Sequence, residues 1–178
     1  HCPECQQWNT FVETLIPLHN DKSLSQSDKI QVHELTQVIV ETAPRIILSC
    51  TELNRVLGGG VVPGSLILIS GDPGIGKSTL LLQVSAMVTR SNKTLYISGE
   101  ESVLQIKMRS NRLGITGEQI YAMAETNMRI ILQELDEISP SFVVVDSIQA
   151  VYTEELDSAP GSVAQIRECA IRLMQWAK

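Results

Sequence analysis

Gly71-Asp72-Pro73-Gly74-Ile75-Gly76-Lys77-Ser78-Thr79 follows the spacing G-x-x-x-x-G-K-[ST], and the chemistry served by that spacing is the binding of nucleotide phosphates. The glycines let successive backbone N–H groups curl round phosphate oxygens, and a helix that follows adds its positive end. Lys77 is placed to reach the β- and γ-phosphates, and the Ser78 hydroxyl to hold Mg²⁺. All the residues from Gly71 to Thr79 are therefore candidate nucleotide contacts. Without strand and helix on either side, the same run would be only a glycine-rich turn.

Two more sets of residues have chemistry to do beside such a cradle. Asp146 closes the apolar run Phe142-Val143-Val144-Val145. A carboxylate at the carboxyl end of a strand is where Mg²⁺ finds a second protein ligand. An Asp there can also do no more than cap the following turn; Lys77 and Ser78 upstream favour the metal role. Hydrolysis further needs a group that orients or deprotonates the attacking water. Glu100 and Glu101 follow the apolar stretch ending at Ser98, and of the two Glu100 is the candidate catalytic carboxylate, acting with Lys77. Glu101 is expected to favour the positive N-terminus of the next helix, a purpose both could serve.

The elements that must position these groups are legible. Ser65-Leu66-Ile67-Leu68-Ile69-Ser70 has the composition of a parallel strand buried on both faces. Leu80, Leu81, Val84, Met87 and Val88 recur at helical spacing from Lys77 to about residue 90. Strands are predicted at 94–98, 120–124 and 142–146. Helices are predicted at 103–113, stopped by Gly114, at 128–138, with Asn127 as N-cap and Pro140 beyond, and from about Ser162 to the terminus. Strands alternating with helices predict an α/β fold, a parallel sheet with helices on both faces reached by right-handed crossovers. Upstream, Arg45–Leu48 reads as an edge strand, and Thr51–Leu57 as a short helix capped by Thr51 and ended by Gly58-Gly59-Gly60.

The chain has 178 residues, 43 % of them hydrophobic, enough for one main domain and a small appendage. Residues 1–19 read as the end of a small module, 20–43 as a linker, and 44–178 as the main domain. A formal net charge of -6 argues against a surface that attracts nucleic acid everywhere, but not against a local basic patch. No run approaches the roughly 20 apolar residues of a membrane span, and none reads as a signal peptide, so a cytoplasmic location and no membrane partner are expected. Of the 4 cysteines, Cys50 and Cys169 stand singly in ordinary sequence. Cys2-Pro3-Glu4-Cys5 is a C-x-x-C pair, able to give two of the four ligands of a structural Zn²⁺.

The run from Leu53 to Ser65, Leu53-Asn54-Arg55-Val56-Leu57-Gly58-Gly59-Gly60-Val61-Val62-Pro63-Gly64-Ser65, continuing into the phosphate loop, resembles the bacterial RadA (Sms) DNA repair ATPases of the RecA-like family. Tyr96-Ile97-Ser98-Gly99-Glu100-Glu101-Ser102, Val145-Asp146-Ser147-Ile148-Gln149 and the segment from Pro160 to Glu168 look like further segments of that family, in the same order. Cys2 to Cys5 with Trp8-Asn9-Thr10 is similar to the second half of its four-cysteine zinc ribbon. The resemblance implies a RecA-like ATPase core, ATP with Mg²⁺ at Ser78 and Asp146, and Zn²⁺ in the intact protein. It also implies hexameric rings, the RecA recombinase as a partner, and ATP-driven processing of single-stranded and branched DNA in recombinational repair. By position Glu100 matches the family's water-activating glutamate, and Tyr152 to Gln165 lies where RecA-like proteins carry a loop that meets single-stranded DNA.

Two departures from the family pattern shape the expectations. The first C-x-x-C of the ribbon is missing ahead of Cys2. A complete member would continue past Lys178 with more core strands and a Lon-protease-like domain, so the chain reads as a fragment with weak turnover of its own. Glu154, Glu155 and Asp157 also make the 152–165 loop acidic, where single-strand grooves use cations and aromatics. The alternative is a signalling ATPase of the KaiC type, which shares the glycine-rich approach to the loop but has no DNA role.

Overall fold

The computed structural model describes Glu34, Thr36 and residues 44–88 and 93–178. The chain divides into two compact units, His1–Glu41 and Thr42–Lys178. Cys2 and Cys5, the expected zinc ligands, and nearly all of the expected linker lie outside the described residues.

The elements of the second unit run in the order α1 (Thr51–Val56), α2 (Lys77–Val88), β1 (Thr94–Ser98), α3 (Val103–Arg112), β2 (Ile120–Ala124), α4 (Met128–Ile138), β3 (Phe142–Asp146) and α5 (Val163–Trp176), with a short 3₁₀ turn at Ile148–Ala150. The three strands form a parallel sheet in the order β2-β1-β3. Every residue of β1 is buried, as a strand paired on both edges and covered on both faces must be. Its side chains alternate between two layers. Leu95 and Ile97 enter a core with Met128, Ile131 and Leu135 of α4 and Cys169 and Leu173 of α5. Tyr96 enters another with Leu82 of α2, Ile106 of α3 and Val144 of β3. Helices α2 and α3 therefore cover one face, and α4 and α5 the other. That division follows from right-handed crossovers, because the chain moves one way from β1 to β2 and the opposite way from β2 to β3.

Local chemistry sets the helix ends. Ser102 and Gln105 form a capping box at the start of α3, Asn127 Oδ1 accepts from the Arg129 N–H at α4, and Ser162 Oγ accepts from the Gln165 N–H at α5. Thr51 does not cap α1 as expected. The N-cap is Cys50, without a side-chain bond, and the nearby backbone is closed by Asn54 instead, whose Oδ1 accepts from Leu48 N–H and whose Nδ2 donates to Leu48 O.

The larger correction concerns Ser65–Ser70, which does not join the sheet. Leu66, Ile67 and Leu68 are 52 %, 42 % and 79 % exposed. Among the described residues the sheet order β2-β1-β3 leaves the outer edge of β3 unpaired, and the run forms no ladder with it. β-favouring composition without that pairing does not make a strand. The expected edge strand at Arg45–Leu48 is reduced to one antiparallel bridge, Ile46 with Val61.

Leu135 is fully buried in the α4–α5 layer. Leu135→Ala is expected to lower unfolding free energy by about 2–5 kcal/mol, whereas Leu104→Ala, at a site 70 % exposed on α3, should stay within about 0.5 kcal/mol; urea titration of both variants checks the contrast.

Candidate active site at the carboxyl ends of the strands

Helix α2 begins at Lys77, directly after the glycine-rich loop. Gly74 and Gly76 have φ of 81° and 102°, and a Cβ on either would meet nothing within 4 Å. Glycine is required there by backbone conformation and not by space. Lys77 folds back over its own loop, its Nζ donating to Gly71 O at 2.8 Å and Asp72 O at 3.0 Å. Residues 71–76 are exposed, and Lys77, Ser78 and Thr79 are half-buried.

Helix α2 packs on the sheet face that carries Tyr96 and Val144, through Leu82. Ser78 lies one turn before Leu82 on the same side of the helix, in the first turn after the glycine-rich loop. Ser98 and Asp146 end β1 and β3 on the face that α2 covers, since Ser98 pairs with Asp146 and Tyr96 with Val144.

At those strand ends a hydrogen-bonded network links β1 to β3. Gly99 N–H donates to Asp146 O at 3.0 Å, and Ser98 Oγ accepts from the N–H groups of Glu100 and Glu101 at 3.3 and 2.9 Å. The Ser147 hydroxyl donates to Glu100 Oε1 at 2.6 Å, and the Tyr96 hydroxyl to Asp146 Oδ2 at 2.6 Å. Burial, then the hydrogen bond to Asp146, push the Tyr96 phenol far above its ordinary range, so it stays a donor. The paired glutamates separate: Glu101 forms an ion pair with Arg109 on α3, while Glu100 meets the Ser147 hydroxyl. The helix start that Glu101 was expected to favour is closed by Ser102. A cavity of about 300 Å³ opens beside this network, lined by residues 98–102 and 124–126; no residue of the phosphate loop is in that lining.

The donor set suits a hard divalent cation. Ser78 and Asp146 offer oxygen donors, and among the described residues Asp146 Oδ1 accepts no hydrogen bond. Sequence reasoning passed over Tyr96, Ser98, Gly99, Ser147 and Arg109. Tyr96 read simply as part of an apolar strand, and the only trace of the others was their place beside Glu100 and Asp146.

Two of the acidic residues of the 152–165 loop have partners outside it. Asn127 Nδ2 donates to Glu154 Oε1 at 2.8 Å, and Arg172 pairs with Glu155 and Glu168. The hydrogen bonds and charge of Arg172 hold the Glu155 carboxyl below its usual range. Gln165, fully buried, donates through Nε2 to Thr153 O, Leu156 O and Ser158 O and accepts from Thr153 N–H.

A Cβ at Gly99 would lie 2.4 Å from Ala150 Cβ. Gly99→Ala must therefore push the Glu100 turn away from β3. Hydrolysis is expected to fall about tenfold or more with nucleotide affinity retained, as steady-state turnover and equilibrium binding on the same variant would show.

Known proteins resemble the chain in sequence over nearly its whole length. The chain is 51 % identical over 99 % of its length to DNA repair protein RadA of Listeria monocytogenes and 52 % identical over 99 % to that of Bacillus subtilis. It spans only 39 % and 40 % of those relatives. Among solved structures it resembles the flagellar accessory protein FlaH of Methanocaldococcus jannaschii, with a TM-score of 0.56 and 19 % identity over 75 % of this chain and 66 % of that one, a likeness of fold alone. Residues 41–178 match the AAA domain, and with the glycine-rich loop leading into α2 and Asp146 ending β3, the chain belongs to the AAA domain family.

Proposed function

We propose that this chain is the ATP-hydrolysing part of a DNA repair protein of the RadA type, and that hydrolysis drives its action on single-stranded and branched DNA. The observation that carries the reading is the glycine-rich loop leading into α2, with Asp146 and Glu100 at neighbouring strand ends, in a chain about half identical to named DNA repair proteins. The loop from Gly71 to Thr79 takes the phosphates, and Lys77 exchanges the carbonyls of Gly71 and Asp72 for phosphate oxygens. Mg²⁺, held by Ser78 and Asp146, would neutralise charge developing on the phosphates. Glu100 orients and deprotonates the attacking water, and the Ser147 hydroxyl and the Gly99 backbone bond fix where its carboxylate stands.

The wider assignments rest on the family resemblance of the sequence. Hexameric rings and cooperation with the RecA recombinase belong to this proposal, as do Cys2 and Cys5 as ligands of a structural Zn²⁺ in the intact protein. Among the described residues no cluster of three or more His, Cys, Asp or Glu could hold a metal, and no helix is long and apolar enough to cross a membrane. The KaiC-type alternative has only a fold-level likeness behind it, and fold does not set function.

The test is ATP hydrolysis by the intact protein with and without single-stranded DNA. Wild-type turnover should rise with DNA. Lys77→Ala should abolish it, and Glu100→Gln should bind ATP normally yet hydrolyse it about 100-fold more slowly or worse. Turnover indifferent to DNA would remove the repair-motor reading, and normal hydrolysis by Glu100→Gln would remove Glu100 as the base.

A further inference from the structure

Tyr96 is the largest fully buried side chain among the described residues, 0 % exposed at the centre of the central strand. Its neighbours on β1 are Leu95 and Ile97, and a parallel strand covered on both faces ordinarily carries aliphatic residues throughout. A phenol in that place brings a polar atom that must be satisfied. The ring is gripped by Leu82, Ile106 and Val144, with Leu81 also packed against it, so it cannot swing away. Strand parity puts Tyr96 and Asp146 on the same face of the sheet, since Ser98 pairs with Asp146 and Tyr96 with Val144. The hydroxyl therefore stands at a fixed point and donates at 2.6 Å to Oδ2 of Asp146, a distance typical of strong bonds to a carboxylate.

We propose that Tyr96 is a positioning residue for ATP hydrolysis: by pinning Oδ2, its hydroxyl holds the Asp146 carboxylate in one orientation and leaves Oδ1 for the metal or its water. The proposal rests on the reading of Asp146 as a metal partner. A carboxylate at a strand end, half-buried and without the phenol, has a terminal torsion with a broad preference. An orienting partner behind a metal ligand is the arrangement whose loss commonly costs metal affinity about tenfold or more.

Tyr96→Phe removes the hydroxyl and keeps the ring, so the core cluster stays filled. In the intact protein, a fluorescent ATP analogue would be titrated in EDTA and then across a range of Mg²⁺, alongside hydrolysis over the same range. Asp146→Asn serves as the reference variant. For Tyr96→Phe the expected result is unchanged affinity in EDTA, with about tenfold more Mg²⁺ needed for both the metal-dependent gain in binding and half-maximal hydrolysis. Wild-type Mg²⁺ dependence in Tyr96→Phe, with Asp146→Asn shifted, would overturn the positioning role alone. Equal weakening of the analogue with and without Mg²⁺ would also overturn it, as the mark of a purely structural phenol. Unaltered Mg²⁺ dependence in Asp146→Asn would remove Asp146 as the metal partner, and the role of Tyr96 with it.

Discussion

The complete burial of β1 is the constraint on which the rest of the unit depends. Hydrogen-bonded to β2 along one edge and β3 along the other, and covered by α2 and α3 on one face and α4 and α5 on the other, this strand can neither slide nor rotate. A slip of one residue would carry Tyr96 into the aliphatic layer and Leu95 and Ile97 out of it. Its last residue is therefore a fixed end, and the turn through Gly99 and Glu100 starts from it. The carboxylates assigned to chemistry stand at this end or on β3, whose register against β1 is set by the same ladder.

Two adjacent glutamates acquire different electrostatic surroundings within one turn. Arg109 reaches from α3 to Glu101 with its side chain only 11 % exposed, so that carboxylate is committed to a partly desolvated ion pair. Glu100 meets a neutral hydroxyl instead and keeps its charge uncompensated by a cation. The glycine-rich loop follows the pattern of Glu100 rather than that of Glu101. Its cation, Lys77, rests on backbone carbonyls, neutral partners that a polyphosphate can replace.

Much of this is legible in the sequence, and the exceptions share a cause. Strands β1, β2 and β3 and helices α2 to α5 fall where periodicity and capping residues put them, because a period-2 or period-3.6 apolar pattern and an Asn or Ser cap act locally. The run Ser65–Ser70 has equally strong strand character and is not a strand, since its state depends on whether another strand lies beside it. Thr51 has the chemistry of a cap and does not cap α1, because Asn54, six residues from Leu48, closes the backbone there. At the site, Glu100 and Asp146 are visible as acids at strand ends. The Tyr96 hydroxyl is not, because its bond reaches a residue 50 positions away that only the sheet register brings near.

The buried amide of Gln165 gives the neighbouring loop a property that its sequence does not suggest. One side chain is the shared partner of Thr153 N–H and of the carbonyls of Thr153, Leu156 and Ser158. Drawing the amide out of this pocket would orphan all of those groups together, and each orphaned group adds its own desolvation cost. One side chain thus ties Thr153, Leu156 and Ser158 to the start of α5, and the course of the whole acidic segment is anchored by a residue that carries no charge.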